Sequence, residues 1–219
     1  MIISTSLANF INLGTIQLYF FTYNMGNPAL QTILVLITLP TFFLGSLMTP
    51  ALVKRFNKRD LMIASSLAVA VVNLLFLLGG YKPAIWVVLL VYLATNFALS
   101  VKGILYWSMV SDTVDYGEWK THVRNDGLVY AIEGAAMKII GAVGGMYVGI
   151  VITIINFVPN ALTQTEATMR GLFYIPHITI IIVTLLSIIP ILFYDLDKKK
   201  HSMILTELKE RKKMRSVET

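Results

Sequence analysis

The chain has 219 residues, of which 56% are hydrophobic and only 14% are charged, and its formal net charge is +6. A soluble domain carries about 25% charged residues, so the composition excludes an ordinary water-soluble globule. The chain contains no cysteine, which excludes disulfides and thiolate metal sites. With lipid as the solvent, the length allows about six spans of roughly 20 residues each.

Six long apolar segments follow one another, separated by turn-forming or charged residues. We predict helices for all six, because a backbone amide in lipid must find its partner within its own segment. Barrel strands would alternate apolar and polar residues, and that pattern is missing. The predicted fold is an all-α membrane protein with six transmembrane helices in one bundle and a basic cytoplasmic tail. The predicted spans are 2–23, 32–53, 61–78, 84–110, 127–157 and 171–194, and the tail is 195–219.

Lysine and arginine alternate in abundance from one loop to the next. Four follow the second segment, two follow the fourth and eight lie in the tail, whereas the intervening loops hold only Lys82 and Arg170. Basic residues between spans report orientation and mark the cytoplasmic side, so their clusters do not indicate nucleic-acid binding. This distribution predicts a multi-pass protein of the cell membrane with both termini in the cytoplasm.

The first segment carries polar residues near one helical face. Asn9, Asn12, Tyr19 and Tyr23 follow each other at steps of three, seven and four. Such a stripe is unfavourable against lipid, so we expect it to face other helices or a water-filled cavity. Two interpretations stay open for each residue. It forms hydrogen bonds between helices, or it lines a binding site for a hydroxyl-rich solute.

Three ionisable residues lie within the predicted spans, namely Lys102, Glu133 and Lys138. A charge at the bilayer centre costs roughly 3 kcal/mol, so each is a candidate functional group. For Lys102, a structural partner or a snorkelling side chain is the alternative. Glu133 and Lys138 lie about 140° apart around one helix and do not pair directly. We predict that Glu133 pairs with the solute or a lysine, and that Lys138 serves cation coupling as a surrogate cation.

Residues 111–127, after the fourth segment, form a predicted loop that mixes acidic, basic and aromatic side chains. Such a set can form salt bridges that lock helix ends in one conformation and release them in another. An ordinary solvated loop is the alternative, and no metal site is predicted because no histidine lies at a ligating spacing. The candidate residues of this cytoplasmic gate are Asp112, Asp115, Tyr116, Glu118, Lys120 and Arg124.

The run at 112–120 reads DTVDYGEWK, and Arg124 and Tyr130 follow it. It closely resembles the signature of the glycoside–pentoside–hexuronide:cation symporter family, the melibiose-permease group of the major facilitator superfamily. The similarity continues through Lys138 and the basic tail, and residues 19–23 look like the seventh helix of the family. The resemblance covers essentially the whole chain and matches the second of the two six-helix bundles in the family.

The resemblance implies alternating-access symport of a glycoside, pentoside or hexuronide with a monovalent cation, Na⁺ or H⁺, with no cofactor. It places Lys138 near the cation site and Glu133 where the melibiose permease has a glutamine near its sugar cavity. That departure argues against the same sugar specificity. The acidic cation ligands of the family lie in its first bundle. We therefore expect a partial transporter that is inactive without an N-terminal six-helix bundle.

Two other functional classes differ from the transporter in what they require of the chain. The alternative is a self-sufficient six-helix oligomeric channel or membrane scaffold, in which other copies supply the missing wall. An enzyme is not predicted, because no intramembrane His or Asp pair and no Ser/Lys arrangement is placed for nucleophilic attack. His122, His177 and His201 are scattered along the chain and are expected to be structural or solvated.

Overall fold

The structure is a computed structural model that describes residues 14–217, with the side chains of 14–214. All regular elements in this range are helical, which confirms the all-α prediction. The predicted residues Asn9 and Asn12 lie outside the described residues. The helices are α1 (Gly14–Tyr19, continued by a π-helical turn Phe20–Asn24), α2 (Ala29–Arg55), α3 (Lys58–Leu78), α4 (Ile85–Thr121), α5 (Asp126–Ile154), α6 (Glu166–Leu186), α7 (Ile188–Leu192) and α8 (Lys198–Val217).

Five helical stretches within the described residues are long and apolar enough to cross a membrane. They are α2, α3, α4, α5 and the pair α6–α7, and each overlaps most of one predicted segment. At one end of the bundle, which we call the turn end, Gly26 and Gly80 adopt φ values of +68° and +81°. Glycine adopts this region without a Cβ penalty, which explains why the chain reverses at these two positions.

Helix α4 differs most from its prediction. We predicted a span ending near residue 110 and a loop over 111–127, but the helix continues to Thr121. Its 37 residues measure about 55 Å, well beyond the roughly 30 Å of a bilayer core. Hydropathy marks only the apolar part of a helix, whereas the backbone hydrogen bonds continue into the polar part. Five of the six predicted gate residues therefore lie on a rigid helix, and Arg124 alone lies in the short connection to α5.

Three apolar clusters hold the bundle together, and one of them packs the end of α5 against α1 and α6. At the turn end, Phe20, Phe21, Phe76 and Phe173 pack against one another. Toward the opposite end, which we call the charged end, α3, α4 and α7 meet around a second cluster. Helix α5 is the least buried of the five spanning stretches. The core therefore consists of α2, α3, α4 and α6–α7, with α5 at its edge.

The predicted tail contains an ordered element that the sequence reasoning did not identify. Residues 198–217 form α8, which packs against the projecting part of α4. Ile204 and Leu208, four residues apart, are both buried in this contact. Side chains at that spacing share one helical face, so α8 docks through a narrow apolar stripe and leaves most of its lysines exposed.

Candidate functional site

Asp112 is the most buried carboxylate of the charged end, at 5% exposure. Lys58 Nζ at the start of α3 donates to both its oxygens, at 2.9 and 2.6 Å. Tyr194 Oη, beyond α7, donates to Oδ2 at 3.2 Å. A buried charge is tolerated only where it is paired and hydrogen-bonded. Asp112 therefore joins α4 to α3 and to the segment after α7.

Arg124 lies among three carboxylates just after α4. Its Nη1 lies 2.7 Å from Glu118 Oε2 and 3.2 Å from Asp115 Oδ1, and its Nε lies 2.9 Å from Asp126 Oδ2. These hydrogen bonds, led by the one to Glu118, hold the pKa of Arg124 above its usual range. The guanidinium therefore stays charged and ties the end of α4 to the start of α5.

Helix α8 contributes a second set of contacts to the same end of α4. Trp119 Nε1 donates to Glu207 Oε2 at 2.7 Å, and Arg211 Nη1 donates to Trp119 O at 3.0 Å. Arg211 Nη2 also donates to Glu207 Oε1 at 2.6 Å. The indole hydrogen bond, followed by this one, lowers the pKa of Glu207. His201 Nε2 lies 3.3 Å from Asp115 Oδ2. The docked helix α8 therefore closes the network that the acids of α4 begin.

The structure brings together four of the predicted gate residues in this network: Asp112, Asp115, Glu118 and Arg124. Tyr116 lies at its edge, with Lys200 Nζ 5.9 Å from its ring centroid. Lys120 is exposed, and within the described part of the chain it forms no hydrogen bond or ion pair. Gating by these residues stays a prediction.

The sequence reasoning missed the partners that lie far away in the chain. These are Lys58, Tyr194, His201, Glu207 and Arg211. His201, which the sequence predicts to be structural or solvated, lies within the network. The signal was present in the tail, where the two apolar residues of the docking stripe interrupt a basic stretch. Among the described residues, no group of three or more acidic or histidine side chains is placed to hold a metal.

The residues predicted for substrate binding and cation coupling lie on α5 and in the first segment. Glu133 is 2% exposed, and neither of its carboxylate oxygens has a hydrogen-bond partner among the residues that the structure describes. Lys138 is exposed and has no hydrogen bond or ion pair with the described residues. Tyr19 and Tyr23 share a face of the first segment, since both rings pack on Phe157, with centroids 4.5 and 5.5 Å away. Their roles in binding and coupling stay predictions.

Lys102 has a structural partner, which is one of the alternatives that the sequence left open for it. It is 2% exposed, and its Nζ donates to Ser187 Oγ at 2.7 Å. Ser187 stands at the break between α6 and α7, and its hydroxyl donates to Thr184 O at 2.6 Å. Lys102 therefore fixes α4 against the helix break.

A family model described as MFS/sugar transport protein matches residues 1–198. The chain is 32% identical to the isoprimeverose transporter of Lactiplantibacillus pentosus, over 86% of this chain and 39% of the relative. It is also 32% identical to two proteins of Escherichia coli (strain K12). One is proposed to import sulfoquinovose, and the match covers 90% of this chain and 42% of that protein. The other is proposed to export 2,3-dihydroxypropane-1-sulfonate, and the match covers 94% and 46%. The chain spans less than half the length of the curated relatives it matches.

Proposed function

Because the chain belongs to the MFS/sugar transport protein family, we propose that it forms one six-helix half of a cation-coupled sugar symporter. The family consists of membrane transporters and not enzymes, so the substrate is bound and moved without covalent change. In the proposal, a second six-helix bundle faces this one, and the two rock about a site near the bilayer midplane. The substrate is a glycoside, pentoside or hexuronide, and Na⁺ or H⁺ is the coupling ion.

The uncovered face of α5 is the observation that carries the proposal. Lys138 is the thirteenth residue of a 29-residue helix, which puts it about 18 Å from the start and close to mid-membrane. An ammonium group at that depth needs a water-filled cavity or a partner. Its neighbours Ile139 and Met146 are 65% and 67% exposed, so within the described residues this part of α5 is largely uncovered. A second bundle would cover it and enclose the solute.

The proposed roles follow from this placement. Lys138 acts as a surrogate cation until the coupling ion replaces it. Glu133, Tyr19 and Tyr23, with Asn9 and Asn12 from the same segment, contact the sugar. The charged cluster around Asp112 and Arg124 closes the cytoplasmic side in one conformation. Its salt bridges supply the bistable element that an alternating-access cycle requires.

In the alternative function, a six-helix oligomeric channel or scaffold, a second copy of the same chain would cover the exposed face of α5. A two-fold interface repeats the same patch on both subunits. Two copies that pair through this face would repeat Lys138 on both sides, and like charges that meet are unfavourable. The share of the relatives that the chain spans also favours a second, different bundle.

Sugar counterflow in vesicles tests the proposal. The chain is reconstituted with and without the N-terminal half of the isoprimeverose transporter and assayed with a panel of glycosides. We expect counterflow only with both halves. In the pair, Lys138→Ala should abolish the cation dependence, whereas Lys82→Ala, in the turn before α4, should keep it. Glycoside accumulation by the monomeric chain alone would refute the need for a second bundle, and unchanged cation dependence in Lys138→Ala would refute the coupling role.

A further inference from the structure

A cavity of about 310 Å³ lies inside the bundle, in the half that carries the turn end. Helices α1, α2, α3, α4 and α6 form its wall. Glu133, Lys138, Tyr19 and Tyr23 are not part of this wall. Among the described residues its lining is neutral and mixes aromatic rings with hydroxyl, amide and imidazole groups. The cavity is therefore separate from the α5 face on which the transport proposal rests.

Four polar side chains of the wall share one arrangement, in which a nitrogen donates to a main-chain carbonyl. A carbonyl oxygen only accepts, so these contacts fix which end of each amide is the nitrogen and which imidazole nitrogen carries hydrogen. The four are Gln31 (Nε2 to Gly14 O, 3.1 Å), Asn73 (Nδ2 to Val69 O, 2.8 Å), Asn96 (Nδ2 to Tyr92 O, 2.9 Å) and His177 (Nδ1 to Phe173 O, 2.7 Å).

The other end of each group is an acceptor. These ends are Gln31 Oε1, the Oδ1 atoms of Asn73 and Asn96, and His177 Nε2. Gln31 Oε1 is buried without a hydrogen-bond partner in the described range 14–217. The other three accept no hydrogen bond from the part of the chain that the structure describes. A buried acceptor without a partner costs about 1–3 kcal/mol, so a ligand that brings donors would regain this energy.

We propose that this cavity binds one neutral, polyhydroxylated molecule of monosaccharide size. Hydroxyl groups supply the donors that the four acceptors lack. A carboxylate or sulfonate would bring negative charge against their lone pairs, and no lysine or arginine in the lining offsets it. The volume lies at the small end of the roughly 300–1,000 Å³ range of ligand pockets, which favours a single sugar ring. The half-buried ring of Tyr92 offers apolar surface to the C–H groups of such a ring.

Binding at this site requires no second bundle, because the wall comes from this chain. The test uses the purified full chain in detergent, with isothermal titration calorimetry against D-xylose, D-galactose and D-glucuronate. We expect saturable binding of a neutral sugar and at least about tenfold weaker binding of glucuronate. Because no transport is measured, failure here is distinguishable from failure of the symport proposal.

Two variants connect the binding to the cavity. His177→Phe keeps an aromatic ring beside Phe76 and Phe173 but removes the acceptor, and should weaken binding by about 2- to 12-fold. Val91→Trp fills the cavity and should abolish binding. Thr179→Val is the matched control, because the Thr179 hydroxyl contacts Tyr147 Oη at 2.8 Å and not the cavity. Thermal unfolding of each variant verifies that it folds.

Three results would overturn the proposal. The first is that neither neutral sugar binds the wild-type chain. The second is that glucuronate, or tetramethylammonium as a cationic probe, binds as tightly as the neutral sugars. The third is that a folded Val91→Trp chain binds as the wild type does, which would place the sugar elsewhere.

Discussion

The crossing of α2 and α4 allows a quantitative prediction, because it is too close for any side chain at Gly45. A Cβ built there lies 1.9 Å from Ser100 Oγ and 3.0 Å from Phe97 O. Ser100 is fully buried, and its hydroxyl donates to Phe97 O at 2.7 Å. Rotating the hydroxyl away breaks that hydrogen bond and leaves the carbonyl contact. Gly45→Ala therefore forces α2 and α4 apart.

The size of the effect is the sum of three terms. Overpacking a dense contact costs about 1–3 kcal/mol, and losing the serine hydrogen bond costs about 1 kcal/mol. Alanine regains about 1 kcal/mol over glycine within a helix. The net loss is about 1–3 kcal/mol. At about 2–4 °C per kcal/mol for a chain of this size, the Tm should fall by roughly 2–12 °C.

Thermal unfolding in detergent, followed by circular dichroism, measures this loss. Gly103→Ala is the matched control on α4, since a Cβ there meets nothing within 4 Å among the described residues. It should keep the wild-type Tm or raise it slightly. Ser100→Ala removes the closest atom and should restore much of the stability in the Gly45→Ala background. Equal Tm values for Gly45→Ala and Gly103→Ala would refute the close crossing.

Three further predictions concern the polar contacts. Asp112→Asn leaves the half-buried ammonium of Lys58 without its carboxylate and should cost about 1–3 kcal/mol in the free energy of unfolding. A loss below about 1 kcal/mol would contradict the ion pair. Ser187→Ala should destabilise the chain by about 1–3 kcal/mol, because Lys102 loses its acceptor. Lys102→Met should be neutral or stabilising. Destabilisation of the chain by both variants in unfolding measurements would contradict this. The pKa of Glu207 is lowered in the folded chain, so its contribution to α8 docking should be complete above the unfolded pKa of about 4.3. This contribution should be lost as pH falls through the folded pKa. Proteolysis of α8 should increase in that pH range in the wild type, and Glu207→Gln should lose this pH dependence.

The sequence predicted contacts between residues that are close along the chain and missed those between residues that are far apart. The acids at 112, 115 and 118 were identified together because they lie within one run that a single pass along the chain shows. Lys58 and His201, 54 and 86 residues from their partners, could be paired with them only after α3 and α8 had been positioned. The cavity acceptors are harder still, since they come from four helices and none is unusual alone.

Helix α4 carries polar contacts to different neighbours at successive levels, and this determines which part of the bundle can move. Thr95 accepts a hydrogen bond from Asn73 on α3, at 3.2 Å. Lys102 and Asp112 hold the helix break and the start of α3 further along. Each level must break before α4 slides or rotates, so α2, α3, α4 and α6–α7 behave as one rigid unit. Helix α5 is joined to this unit by the ion pair of Arg124 with Asp126 at its start and by Tyr147 Oη, which donates to Thr179 Oγ1 on α6 at 2.8 Å. It is the least buried span, so a repacking within this half would separate α5 from the core first. The charge on Lys138 would move with it, which would link occupancy of the uncovered face to the position of one helix.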